Sequence, residues 1–273
     1  MDKQLKVMTI GGFIVMDSSD EKKIIFLKRF NLAMFVVHIS QVFMILYLSK
    51  RFSLPITRSY PFFDTNTMAI TPASETLFEV QIAPLIALFL LISAAAHVFI
   101  GTILYERYVK HLKKGMNPYR WYEYSISASL MIVIIAMLTT IYDFGTLLAL
   151  FTLTAVMNLM GLMMELHNQT TKKMNWTSYT IGCMAGIVPW IVIFVSLIGG
   201  TSTEGGSVPD FVIGIFVTIA IFFNLFAINM FLQYKKIGKW KDYLYGEKVY
   251  IILSLVAKSA LAWQVFAGTL RPV

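Results

Sequence analysis

One lysine stands where a lysine is costly. Lys258 lies in the string Ile-Leu-Ser-Leu-Val-Ala-Lys-Ser-Ala-Leu-Ala-Trp and is the sole charge between Val249 and Leu270. It follows Glu247 by enough residues to sit roughly 16 Å further along a helix, which is mid-membrane if the run spans a bilayer. An unpaired ammonium there costs about 2.5–3.5 kcal/mol on insertion scales. From the centre it cannot easily snorkel to an interface. Three chemistries compete for it: an ion-pair partner, a proton or ion relay, and a nucleophile forming a Schiff base. Ionisable residues inside membranes are functional by default, so pure structure carries the least weight.

Such a cation needs an anion, and Glu123 is the candidate, in Asn-Pro-Tyr-Arg-Trp-Tyr-Glu-Tyr-Ser-Ile-Ser-Ala-Ser. If Asn117 caps its helix and Pro118 opens it, Glu123 is only about 9 Å in. Either the helix starts earlier, near Lys113, or long side chains close the gap to Lys258. The competing partner for Glu123 is Arg120, three residues away. Glu165 and Glu247 lie closer to the edge and are expected at the surface. His38 and His97 fall inside apolar runs at similar depths. Each could be an ordinary hydrogen-bonded core residue. Together they could hold a proton or organise water, because histidine changes charge near neutral pH. No third histidine lies inside a run, so a zinc site is not expected. The single cysteine, Cys183, excludes an intrachain disulfide framework.

These residues must be positioned by membrane helices. The chain has 273 residues, of which 57% are hydrophobic and only 14% charged; a soluble domain carries about 25% charge. Seven runs reach the ~20 residues a spanning helix needs: 30–49, 80–105, 124–142, 144–164, 174–203, 211–234 and 249–270. They are continuous rather than alternating, so helices fit better than barrel strands. The expected architecture is all-α, a seven-transmembrane-helix bundle over residues 24–273, preceded by an extension over 1–23 that is disordered or lies on the surface. The connection from Arg51 to Glu79 contains Pro55, Pro61 and Pro72 and predicts turns or a β-hairpin. Gly199 to Gly206 predicts a flexible fifth loop.

The formal charge is +8, but the basic residues lie between apolar runs, so no nucleic-acid face is expected. Most of them fall on the side of the N-terminus and the even-numbered loops. The opposite side holds Lys50, Arg51, Arg58 and Arg271. The positive-inside bias predicts a cytoplasmic N-terminus and an extracellular first loop in a cell-membrane protein. That is the reverse of pumping rhodopsins and G-protein-coupled receptors.

With the motifs in place, the chain resembles the heliorhodopsins. Ser-Leu-Val-Ala-Lys-Ser-Ala-Leu-Ala-Trp-Gln is similar to their retinal-binding segment, and Arg-Trp-Tyr-Glu-Tyr-Ser to their counter-ion segment. Gly-Cys-Met-Ala-Gly-Ile-Val-Pro-Trp (182–190), Gln-Tyr-Lys (233–235) and the Gly-Lys-Trp before the last helix are similar too. The resemblance runs from about Leu27 to the C-terminus. It implies all-trans retinal on Lys258 as a protonated Schiff base, with Glu123 as counter-ion. It implies a polar cavity, able to accept a proton, at His38, His97 and Ser254. Ser127 and Met131 would face the polyene, and Phe223 and Trp263 would contact the ring, with helix packing as the alternative for each. The family is dimeric, and the fourth and fifth spans offer small residues for a contact. The sequence departs from the family pattern at Thr154, Met230 and Thr180. These positions bear on absorption maximum and photocycle speed rather than on chromophore binding.

The function implied is a light sensor, not an enzyme. A pump needs further carboxylates toward each surface, and the third span has no acid between Glu123 and Asp143. The alternatives are a light-gated proton channel on the same scaffold, a metal-dependent membrane enzyme, and a receptor without chromophore. The basic cytoplasmic loops would meet either a signalling partner or anionic lipid.

Overall fold

The computed structural model describes residues 9–10, 13–14, 18–201 and 208–270. Two short antiparallel strands, β1 (Thr9–Ile10) and β2 (Phe13–Ile14), precede the bundle. Helices follow as α1 (Ser18–Leu48), α2 (Ile82–Gly101), α3 (Tyr105–Lys113), α4 (Pro118–Leu138), α5 (Phe144–His167), α6 (Thr177–Thr201), α7 (Asp210–Tyr234) and α8 (Tyr243–Val265), which runs on through a π-helical turn at Phe266–Leu270. Seven of them, all except α3, are long and apolar enough to cross a membrane. Most of the 1–23 extension and of the fifth loop lies outside the described residues. Helix α1 already starts at Ser18, inside the segment read as an extension.

The helices follow one another around the bundle. Helix α1 packs on α2 and α8, α2 on α4, α4 on α5, α5 on α6, and α7 on α8; the α6–α7 seam is the loosest. The charge-free runs locate the spans but not their ends. Helix α4 begins at Pro118, with the Asn117 side chain accepting from the Arg120 N–H, because its charged first turns are buried and paired rather than solvated.

The first loop is a hairpin. Strands β3 (Ser53–Asp64) and β4 (Ala69–Gln81) pair antiparallel along their whole length, with a register shift between Ile56 and Thr57. Pro61 and Pro72 face each other. A two-stranded ribbon tolerates this because both strands are edges. The hairpin is tied to the bundle where Thr57 N–H donates to the Tyr142 carbonyl at 2.9 Å.

The end of the bundle nearest this hairpin is packed with apolar side chains: Ile86, Phe89 and Leu90 on α2, Met131, Ile134 and Ile135 on α4, and Leu261, Ala262 and Val265 on α8. The buried charged groups, Arg120, Glu165, Glu247 and Lys258, lie outside this apolar end.

Candidate functional site

Lys258 projects from α8 into the bundle and is 2% exposed. Its Nζ donates to Glu123 Oε1 at 2.7 Å and to Ser254 Oγ at 2.8 Å. Ser254 lies one helical turn earlier, so its hydroxyl and the amine share a face. The Ser93 hydroxyl on α2 donates to the same Glu123 oxygen at 2.7 Å. Helix α4 does start at Pro118, so long side chains bridge the depth difference between Glu123 and Lys258. The Tyr124 ring lies beside the amine, its centroid 5.0 Å from Nζ. Ser127 is fully buried one turn past Glu123, and its hydroxyl faces the Glu123 carboxylate.

His38 and His97 stack with centroids 5.6 Å apart and planes 10° from parallel. His38 is fully buried, with neither ring nitrogen partnered among the described residues. His97 Nδ1 lies 2.8 Å from Asn31 Oδ1. Asn31 and Ser93 escaped the sequence reading. The available signal was spacing: Asn31 lies seven residues before His38, and Ser93 four before His97, each on the histidine's own helix face.

A cavity of about 40 Å³ opens beside the amine, lined by Tyr124, Met131, Phe223, Phe226, Ser254 and Ala257 among others. A second, of about 320 Å³, lies between α5, α6 and α7 and reaches Gly182, Gly186 and Trp190. The two share Met157, Asn158, Phe223 and Phe226, so they adjoin and form a mainly apolar cleft leading away from Lys258. Glycine shapes its wall: a Cβ on Gly186 would fall 2.3 Å from Met157 Sδ. Met131 and Phe223 line this cleft. Trp263 lines neither cavity and packs edge-on against Phe266 at 5.5 Å.

A second polar cluster lies toward the N-terminal side. The Arg120 guanidinium pairs with both Glu165 and Glu247. It also lies over the Tyr250 ring, 3.8 Å from its centroid. Asn117 donates from Nδ2 to Glu247 at 2.6 Å and from its backbone N–H to Glu165 at 2.8 Å. Tyr108 and Tyr243 donate their hydroxyls to Glu247 and Glu165, each at 3.2 Å. Burial, then the charge of Glu247, pushes the Tyr108 hydroxyl well above the usual tyrosine range, so it stays a donor.

This corrects two expectations. Glu165 and Glu247 are each 1% exposed rather than at the surface. Arg120 pairs with them rather than with Glu123. Buried charges require such partners, and here the partners come from α3, α4, α5 and α8. Among the described residues, no three His, Cys, Asp or Glu side chains gather as a metal-ligand set.

A family model described as Heliorhodopsin matches residues 27–270. No curated protein matches the chain.

Proposed function

The chain belongs to the heliorhodopsin family, and on that premise we propose that it is a light sensor whose retinal is carried by Lys258 as a Schiff base with Glu123 as counter-ion. The observation that carries the proposal is the ion pair between Lys258 Nζ and Glu123 Oε1, 2.7 Å long and buried at the head of an apolar cleft.

The residues present suit the chromophore. A buried primary amine is the group that condenses with an aldehyde, and the cleft beside it is aromatic and aliphatic. Lys258 would hold the all-trans isomer, with Met131 and Phe223 along the chain and Ser127 close to Glu123. When bound, retinal supplies visible-light absorption and a double bond that isomerises. The protein supplies the charge balance: a cationic nitrogen in a low dielectric needs an anion beside it, and Glu123 is that anion.

Displacing the cation from Glu123 frees a proton to move. Ser254 Oγ lies within hydrogen-bond distance of Nζ, and the unpartnered nitrogens of His38 lie across from His97. A proton held there changes the charge arrangement among α1, α2 and α8, which is the switching step.

The packing argues against pumping. Between Lys258 and the hairpin end, the interior is the apolar cluster of α2, α4 and α8 side chains. Glu165 and Glu247 both lie in the other half, tied to Arg120. Beyond Glu123, a proton leaving Lys258 finds buried carboxylates on one side only among the described residues. The remaining assignments belong to the same reading: a cytoplasmic N-terminus, from the distribution of lysine and arginine; a homodimer through the fourth and fifth spans, α5 and α6; and a cytoplasmic partner or anionic lipid at the basic loops.

The test is paired electrophysiology and flash spectroscopy on the retinal-loaded protein. Light is expected to drive a spectral cycle without sustained current under voltage clamp. Reversible, sustained photocurrent would show conduction and overturn the sensor reading.

A further inference from the structure

Asn31 sits on α1 among apolar neighbours, is 2% exposed, and has both ends of its amide occupied. Its Nδ2 donates to the Leu27 carbonyl, one turn earlier, at 2.8 Å. A carbonyl only accepts, so the amide cannot be flipped, and Oδ1 must face His97. That oxygen also only accepts. His97 Nδ1, 2.8 Å away, must therefore be the protonated nitrogen. A neutral imidazole carries one proton, so Nε2 is left with its lone pair.

We propose that Asn31 is a positioning residue: it fixes His97 as the Nδ1–H tautomer and thereby makes Nε2 the one nitrogen of that ring able to take a proton. The tautomer of a histidine is set by the hydrogen bond its other nitrogen makes. The stacked partner His38 makes no such bond at either nitrogen among the described residues. Of the two rings, His97 is the preset base. A neutral donor-acceptor residue suits this task better than a carboxylate, which would draw a proton onto the ring in the resting protein. Asn31 also faces the Tyr108 hydroxyl, which donates to Glu247. One side chain thus touches both the histidine pair and the Arg120 cluster.

The consequence for photochemistry rests on the light-sensor reading, whereas the tautomer does not. The experiment separates them. The full-length protein, labelled with ¹⁵N-histidine, is measured in the dark at neutral pH by solid-state NMR, with His97 assigned by loss of its signals in His97→Gln. The expected result is a protonated Nδ1 and a bare Nε2 on His97 in the wild type. In Asn31→Leu, of similar size but without an acceptor, the Nδ1 proton is lost from a large share of molecules. In Asn31→Asp, which keeps the acceptor, it stays. A wild-type His97 protonated at Nε2, or an unchanged Nδ1 proton in Asn31→Leu, overturns the assignment. If Asn31→Leu does not fold, the wild-type spectrum alone decides. In the retinal-loaded protein the step that deprotonates the Lys258 nitrogen is expected to slow about tenfold in Asn31→Leu. A protein that takes no colour sinks the light-sensor reading and leaves the tautomer result standing.

Discussion

Arg120 and Glu123 lie one helical turn apart on α4 and belong to separate buried clusters. Arg120 pairs with Glu165 and Glu247, while Glu123 pairs with Lys258. The shortest pairing along the helix is not made, because each group finds a partner on another helix. The bundle therefore holds two charge layers: one at the proposed chromophore, one a turn nearer the N-terminal side.

The lower layer is expected to matter for stability. Arg120→Gln leaves two carboxylates buried without their cation, and breaking a buried pair in this way costs about 3–5 kcal/mol. Thermal unfolding in detergent should show a large drop. Replacing Arg120, Glu165 and Glu247 together by Met or Leu should recover most of it, since no charge is then stranded. A loss below about 1 kcal/mol for Arg120→Gln, the range of an exposed pair, would show that the cluster is solvated.

The upper layer sets colour. In the loaded protein Glu123→Gln removes the negative charge that stabilises the ground-state cation at Lys258. Absorption is expected to move to longer wavelength, read directly from the spectrum at neutral pH. An unchanged maximum would remove Glu123 from the counter-ion role.

Close helix approach at Gly161 is expected to be intolerant. A Cβ there would lie 2.4 Å from the Trp121 ring, which is wedged edge-on against Tyr124 and Tyr250. Gly161→Ala should cost about 1–3 kcal/mol through overpacking. Gly214→Ala, with nothing within 4 Å, should be neutral or gain up to about 1 kcal/mol from helix propensity. Unfolding midpoints of the two variants should move in opposite directions or differ clearly in size.

At the turn beside the hairpin, Asp143 caps α5. Its Oδ1 accepts from the Thr146 backbone N–H and hydroxyl, both at 2.9 Å. These bonds hold its carboxyl below the usual carboxylate range. A lowered native pKa means the cap's contribution is complete above the unfolded value, near 3.8, and is lost as pH falls through the native one. Asp143→Ala should cost about 1 kcal/mol at neutral pH. Asp143→Asn should keep most of the cap and remove its share of the acid-limb loss in a pH series of melts.

Much of this was legible in the sequence, and the failures share one cause. Charge-free runs locate the seven spans because lipid excludes unpaired charge. The same rule misplaces Glu165 and Glu247 at the surface: burial of an acid is decided by partners on other helices, and Arg120, Asn117, Tyr108 and Tyr243 are scattered along the chain. Helix α3, Tyr-Glu-Arg-Tyr-Val-Lys-His-Leu-Lys, is too polar to register as a span, although Tyr108 and Leu112 bury one face. Lys258 announced itself because a lone cation in an apolar run is costly and seldom purely structural. Asn31 and Ser93 did not, because single small polar residues are common in membrane helices and only contacts give them a task.

The central claim is that Lys258 Nζ carries the chromophore, and an absorption spectrum tests it most directly. Wild-type protein and Lys258→Ala, purified alike and mixed with all-trans retinal, should differ completely: a visible band in the wild type, bleached by hydroxylamine in light, and none in the variant. A wild type that stays colourless, or a variant that keeps the band, would contradict the account.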